Sequence, residues 1–133
     1  MQSYLFKNIQ VVNEGKIMFS DVLTHGERIE KIDNQINVAR RVTEINGENL
    51  HLFPGVIDDQ VHFREPGLTH KADIFSESRA AVAGGVTSFM EMPNTIPNAL
   101  TLNLLEDKYS IASRSSLANY SFYMGVSNDN AEE

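Results

Sequence analysis

The segment VIDDQVHFREPG, residues 56 to 67, gathers acidic, amide, imidazole and guanidinium side chains at the end of an apolar run. If residues 56 to 63 form one strand, Asp58, Gln60 and His62 share a face, because side chains alternate with a period of two. Imidazole and oxygen donors at that spacing converge on one point, and zinc accepts both. The spacing makes His62 and Gln60 candidate metal ligands, on the same strand face as Asp58. The alternative is a hydrogen-bonded core histidine, since the pattern lacks a second imidazole.

Arg64 follows directly and is held at the strand exit by the turn Glu65-Pro66-Gly67. A guanidinium in this place suits bidentate capture of a carboxylate or a phosphate. A surface ion pair with Glu65 or Asp73 is the equally available alternative.

A second polar cluster, MEMPNT, occupies residues 90 to 95 at the end of the next predicted strand. Pro93 terminates strand pairing, and Asn94 offers a fixed amide to a ligand. The alternative is a simple Pro-Asn turn. Glu91 has no assigned role: it is either an inward-facing acid or a cap for a neighbouring turn.

The elements that must position these clusters alternate between strand and helix. A helix is expected behind a Thr69 cap, ending at Gly84-Gly85, and a second helix behind Thr101. Strands are expected at Val86–Met92 and Tyr120–Val126. The predicted apolar stripes consist of Ile74, Phe75, Ser78, Ala81 and Val82 in the first helix and Leu102, Leu105, Tyr109 and Ala112 in the second.

This order predicts an α/β fold with right-handed parallel crossovers, preceded by a β-rich antiparallel leader. Chemistry in such folds lies at the carboxyl ends of the strands, where both clusters fall. The chain ends at Asn128–Glu133, which has the composition of a helix start. We therefore expect a truncated chain, the front part of a longer (β/α) protein.

Composition excludes several classes. A net charge of −7, a pI near 5.0 and the lack of a Lys/Arg cluster argue against nucleic acid. No apolar run approaches the ~20 residues of a membrane span, and no signal peptide is present, so a cytoplasmic location is expected. The absence of cysteine excludes disulfides and a thiolate zinc site.

Three segments together, PGVIDDQVHFREPG (residues 54 to 67), GVT (85 to 87) and MPNT (92 to 95), resemble the dihydroorotases of the amidohydrolase superfamily. The resemblance implies a small β-sandwich leader, residues 1 to 52, followed by the first units of a TIM-like (β/α)8 barrel, residues 53 to 133. It also implies a zinc cofactor and a small-molecule substrate, with a homo-oligomer possible.

The family pattern D-x-H-x-H-x-R places two zinc-binding histidines on the first barrel strand. His62 matches the second, whereas Gln60 replaces the first. Arg64 and Asn94 match the residues that hold the substrate carboxylate. The implied reaction interconverts N-carbamoyl-L-aspartate and dihydroorotate in pyrimidine biosynthesis, by attack of a metal-bound hydroxide on the ring amide.

The family's proton-shuttling aspartate and its remaining metal ligands do not occur in this sequence, so no catalytic residue is assigned and the chain alone is expected to be inactive. Two other hypotheses remain. One is an inactive homologue that serves as a structural partner of aspartate carbamoyltransferase, marked by Gln60. The other, a stand-alone binding module, is disfavoured by the apolar faces of an unclosed sheet.

Overall fold

The computed structural model describes residues 1–131 and divides the chain into two compact units. The first unit is Met1–Pro54, and the second begins at Gly55. No helix within residues 1–131 combines the length and the apolar character needed to cross a membrane.

The first unit is one five-stranded sheet with the order β3-β2-β1-β4, and β5 also pairs with β1. Its strands are β1 (Ser3–Asn13), β2 (Lys16–His25), β3 (Arg28–Asp33), β4 (Thr43–Asn46) and β5 (His51–Leu52). The first three are antiparallel, as predicted, but β4 and β5 run parallel to β1. The expectation of a purely antiparallel leader is therefore wrong, because the chain crosses back over residues 34 to 42 before it pairs with β1.

Local chemistry fixes the first hairpin. Glu14 and Gly15 both have positive φ, 49° and 72°, as a two-residue type I′ turn requires. The buried Asp21 carboxylate accepts the backbone N–H groups of Asn8 and Ile36, each at 2.9 Å. Asp21 thus holds the irregular part of β1 against the crossover segment.

The second unit is a parallel three-stranded sheet, β6-β7-β8, with two helices. Its elements are β6 (Val56–Val61), α1 (Ile74–Ala83), β7 (Val86–Glu91), α2 (Leu102–Ser115) and β8 (Asn119–Phe122). The predicted β, α, β, α, β order is confirmed. Its core consists of Phe63, Ile74, Phe89, Ala112, Ala118 and Phe122.

Several predicted boundaries are wrong. The N-cap of α1 is Asp73 rather than Thr69, since the Asp73 carboxylate accepts the Ser76 N–H at 2.7 Å. Thr101 caps α2 as predicted, accepting the Leu104 N–H at 3.3 Å. The last strand covers Asn119–Phe122 and stops short of Val126.

The predicted helix faces are only partly buried. Ile74 and Ser78 of α1 are buried, but Phe75 and Val82 are 49% and 44% exposed. In α2, Leu102 is 56% exposed. One side of each helix packs on the sheet. The exposed residues of each predicted stripe lie outside this packed side.

The expected helix start at Asn128–Glu133 is a turn over its described part, Asn128 to Ala131, and its last two residues lie outside the described residues. Asn130 organises this turn. Its amide donates to the carbonyls of Leu100 and Gly125, each at 2.7 Å, and its Oδ1 accepts the Ser127 N–H at 2.6 Å.

Candidate active site

The loops that follow β6 and β7 lie against each other at the carboxyl edge of the second sheet. Met92 donates its N–H to the Val61 carbonyl at 3.0 Å, and Ile96 donates to the Pro66 carbonyl at 3.1 Å. Gly67 has φ +82°, and a Cβ there would overlap the Ile96 carbonyl oxygen. Only glycine fits this close approach, which explains why the first loop ends in Pro-Gly.

His62 and Asn94, one from each loop, are hydrogen-bonded, with His62 Nδ1 2.9 Å from Asn94 Oδ1. Both side chains are exposed. Because a carboxamide oxygen only accepts, Nδ1 carries the proton in this arrangement, and in the neutral ring Nε2 then has the lone pair. This is the state in which an imidazole can bind a metal through Nε2.

The uninterrupted strand expected to align Asp58, Gln60 and His62 is not formed. Asp58 pairs with Phe89 and Val61 with Glu91, so β6 has one more residue than β7 across this interval, as in a β-bulge. β6 then ends at Val61, which leaves His62 beyond the strand. The simple two-residue alternation that predicted a shared face therefore does not apply.

Gln60 lies within the bulge, where its backbone N–H donates to the Asp58 carboxylate at 3.2 Å. Its side chain is exposed and, with Asp59, Tyr123 and Met92 among others, lines an open cavity of about 460 Å³. The Tyr123 hydroxyl donates to the Asp59 carbonyl at 3.0 Å and so ties β6 to the segment after β8.

Within residues 1–131, no group of three or more His, Asp or Glu side chains is placed to hold a metal ion. The structure brings His62 to Asn94, and among the described residues no hydrogen bond joins His62 to Gln60.

Arg64 has a left-handed backbone, φ +72°, which is strained for a residue with a Cβ. Its N–H donates to Glu91 Oε1 at 2.8 Å. The alternative of a surface ion pair is wrong, since Arg64 forms no ion pair with any described residue. The two acids proposed for it are used elsewhere: Glu65 accepts the Ile74 N–H at 2.9 Å, and Asp73 caps α1.

Beneath Arg64, Glu91 and Lys108 form a buried ion pair in which both side chains are only 1% exposed. Lys108 Nζ lies 3.0 Å from Glu91 Oε2, and it donates to the Met92 carbonyl at 3.0 Å. Burial raises the pKa of Glu91, although the nearby Lys108 charge opposes this. Burial likewise lowers the pKa of Lys108, with Glu91 acting in the opposite direction.

Sequence reasoning left Glu91 unassigned and missed Lys108. The signal was present, because Lys108 sits between Leu105 and Ala112 at the three-to-four residue spacing of the buried stripe of α2. A lysine in such a stripe needs a buried partner.

No protein-family model matches the chain. Its sequence is 36% identical over 134 aligned positions to an allantoinase of Solibacter usitatus, covering 100% of this chain and 29% of the relative. It is 49% identical over 90 positions to a dihydroorotase of Carboxydothermus hydrogenoformans, covering 68% of this chain and 21% of the relative. The chain thus spans less than a third of the length of these relatives.

The fold is similar to that of an L-hydantoinase (dihydropyrimidinase) from Arthrobacter aurescens. The TM-score is 0.90 at 25% identity, over 98% of this chain and 29% of the hydantoinase. Fold and sequence together make the chain a homologue of the cyclic amide hydrolases of the amidohydrolase superfamily. Within that class the similar proteins carry the names dihydroorotase, allantoinase and hydantoinase, and the resemblance seen in the motifs is confirmed.

Proposed function

We propose that the native polypeptide carrying these residues is a dihydroorotase, interconverting N-carbamoyl-L-aspartate and dihydroorotate in pyrimidine biosynthesis. The observation that carries the proposal is the contact of His62 with Asn94, because it joins the metal-type motif and the MPNT loop in one site. Hydrolysis of a ring amide is common to the class. The choice among substrates depends on what the site offers to the rest of the ring.

Dihydroorotate carries a ring carboxylate, whereas hydantoin and allantoin do not. Arg64 supplies a fork of donors suited to a carboxylate. Asn94 uses Oδ1 toward His62, which leaves its Nδ2 hydrogens to donate to a ligand. In this proposal Arg64 and Asn94 together hold the substrate carboxylate, and the two loop contacts keep them on the same edge of the sheet.

For a metal, the described residues fit only one ligand position of a zinc site. A neutral His62 ring that donates from Nδ1 to Asn94 has a free Nε2 lone pair, but a catalytic zinc takes three protein ligands and no such cluster exists within residues 1–131. We propose His62 as a zinc ligand and keep Gln60 as a weaker candidate, with other ligands from the rest of the native polypeptide. Bound zinc would lower the pKa of a water molecule and polarise the ring carbonyl.

We also propose that these residues are the sandwich leader and first β/α units of a TIM-like barrel. The match to a hydantoinase over 98% of this chain but 29% of that protein supports this reading. The chain alone is then expected to be inactive. A cytoplasmic location and a homo-oligomer belong to the same proposal.

The test is a substrate comparison with the native polypeptide, purified and supplied with zinc. Dihydroorotate, hydantoin and allantoin are offered under the same conditions, and metal content is measured in the same samples. The proposal expects turnover of dihydroorotate with a clear preference over the two rings that lack a carboxylate. A zinc-loaded protein that opens hydantoin or allantoin but not dihydroorotate would reject the assignment.

The second candidate, an inactive homologue that supports aspartate carbamoyltransferase, draws on Gln60, a neutral amide in place of an imidazole. A Gln60→His variant separates the two. If zinc binding and turnover appear only in the variant, the inactive homologue is correct. If the unaltered polypeptide already turns over dihydroorotate, that candidate is rejected.

A further inference from the structure

The buried Glu91 and Lys108 side chains contact both loops that carry the proposed carboxylate ligands. Glu91 Oε1 accepts the backbone N–H of Arg64 at 2.8 Å. Lys108 Nζ donates to the carbonyl of Met92 at 3.0 Å, two residues before Asn94. The ion pair, at 3.0 Å, connects these two backbone contacts through the protein interior.

We propose that the Glu91–Lys108 pair is a positioning device that sets the backbone of Arg64 and Asn94 for binding the substrate carboxylate. This inference rests on the proposed function and deepens it. Neither residue touches the substrate, and both act through the loops above them.

The backbone of Arg64 is held in an unfavourable conformation. A φ of +72° is unfavourable for arginine, and such a residue persists only where its surroundings hold it. Glu91 Oε1 is the acceptor for the N–H of that same residue. Among the described residues, this is the hydrogen bond that the Arg64 N–H makes. If the acceptor is removed, the bond is lost and the Arg64 backbone can return to an ordinary conformation.

Burial of the two charges is costly. Glu91 and Lys108 are each 1% exposed, and burial raises the pKa of the acid and lowers that of the amine. Apolar residues of similar volume would stabilise such a position at least as well. A charged pair here is therefore poorly explained by stability alone, whereas its backbone contacts give it a role in geometry.

Beyond Met92, the MPNT loop is held by its own hydrogen bonds. Thr95 is 2% exposed and donates its hydroxyl to the Pro97 carbonyl at 2.9 Å, and its N–H donates to the Pro93 carbonyl at 2.9 Å. Because Asn94 lies between Pro93 and Thr95, the Lys108 hydrogen bond that fixes the Met92 carbonyl also restricts the position of Asn94.

The inference is tested with two double variants that remove both charges. Glu91→Gln with Lys108→Met keeps an oxygen to accept the Arg64 N–H. Glu91→Leu with Lys108→Met has nearly the same volume but lacks that acceptor. Glu65→Leu is the matched control, because it removes a carboxylate-to-backbone bond in the same loop, at Ile74 rather than at Arg64.

Two readouts are taken on the native polypeptide: hydrogen exchange of the Arg64 amide, and KM for dihydroorotate. Both double variants should fold. The Leu variant should show Arg64 exchange and a KM each about twofold to tenfold higher than the Gln variant, the effect of losing one hydrogen bond to a neutral acceptor. Its kcat should change less than its KM, and Glu65→Leu should leave Arg64 exchange unchanged.

Equal Arg64 exchange in the two double variants overturns the inference, whatever the protein turns over. Equal KM values with different exchange also overturn it, since the pair would then hold the backbone without affecting the carboxylate. If the exchange rates differ but the unaltered protein does not prefer dihydroorotate over hydantoin, the proposed function fails while the pinning of Arg64 stands.

Discussion

His62 Nδ1 lies 2.9 Å from Asn94 Oδ1, so an imidazole from the loop after β6 is oriented by an amide from the loop after β7. The bond uses the oxygen of Asn94 and the Nδ1 proton of His62. The Nδ2 hydrogens of Asn94 and the Nε2 lone pair of His62 remain for ligands. One contact thus leaves free the two groups that the proposed anion-binding and metal-binding roles require.

Removing the Asn94 amide should release the His62 tautomer. In the unaltered protein we expect the Nδ1-protonated form to dominate, because the hydrogen bond contributes roughly 0.5–1.5 kcal/mol. In Asn94→Ala the ratio of tautomers should shift toward Nε2 protonation by about twofold to tenfold. Nitrogen-15 NMR of the histidine ring on metal-free protein measures this ratio directly.

Asn98→Ala is the control for that experiment, since Asn98 is an exposed asparagine of the same loop. It should leave the His62 spectrum as it is. An unchanged tautomer ratio in Asn94→Ala would show that the 2.9 Å contact does not orient the ring.

Arg64→Lys should weaken the binding of a carboxylate-bearing substrate while keeping the positive charge. Lysine offers a point charge instead of a two-pronged donor, so we expect KM for dihydroorotate to rise about tenfold or more. KM for hydantoin, where measurable, should not change. Arg79→Lys, on the exposed face of α1, is the matched control and should alter neither value. An equal rise for both substrates would argue against a carboxylate-binding role.

Breaking the buried ion pair on one side should be far more damaging than neutralising both sides. Lys108→Met alone leaves Glu91 buried without its cation and should cost about 3–5 kcal/mol of unfolding free energy. Glu91→Gln with Lys108→Met should be neutral or stabilising. Chemical denaturation followed by helical circular dichroism reports on this unit, because α1 and α2 both belong to it. Similar losses in the single and double variants would contradict the role assigned to the charges.

The difference in unfolding free energy between the unaltered protein and the Glu91→Gln, Lys108→Met double variant should depend on pH. Glu91 has a pKa raised above its ordinary value of 4.5, so the folded state binds its proton more tightly than the unfolded state does. The unaltered protein therefore loses stability relative to the double variant as the pH rises from 4.5 through the Glu91 titration.

Lys108 gives the opposite slope at the alkaline end. Its pKa is lowered from 10.5, so the folded state releases that proton first and the unaltered protein regains relative stability as the pH approaches 10.5 from below. Denaturation midpoints measured across this range test both slopes. A difference that is flat with pH would mean that the two groups are not ionised under a burial penalty.

The sequence predicted the alternating elements of the second unit because helices and strands differ in apolar period. The rule about strand ends directed attention to two loops that the structure brings into contact. It chose the wrong cap for α1 because Thr69 and Asp73 are both good caps. The choice was made by packing: Ile74, directly after Asp73, is 0% exposed. Tertiary contact of this kind is not visible in local propensity.

The bulge in β6 and the role of Lys108 were also missed, for different reasons. No glycine or proline lies between Asp58 and Val61, so nothing in the residue types indicates an extra residue there. Lysine is normally solvated and is not expected in a buried stripe, although the position of Lys108 matches the buried stripe of α2. Its partner, Glu91, lies on strand β7, and a pairing between two separate elements cannot be predicted without the three-dimensional structure.

The left-handed backbone of Arg64 gives a last prediction in which the usual order of two substitutions is reversed. At an ordinary position glycine is less stable than alanine, but at φ +72° alanine carries the steric cost of its Cβ and glycine does not. Arg64→Gly should therefore exceed Arg64→Ala in unfolding free energy by about 1 kcal/mol, although both remove the guanidinium and should weaken dihydroorotate binding alike. Denaturation of the two variants side by side measures the difference. If alanine proves the more stable, Arg64 does not adopt the strained backbone, and the reason to need Glu91 as its anchor disappears with it.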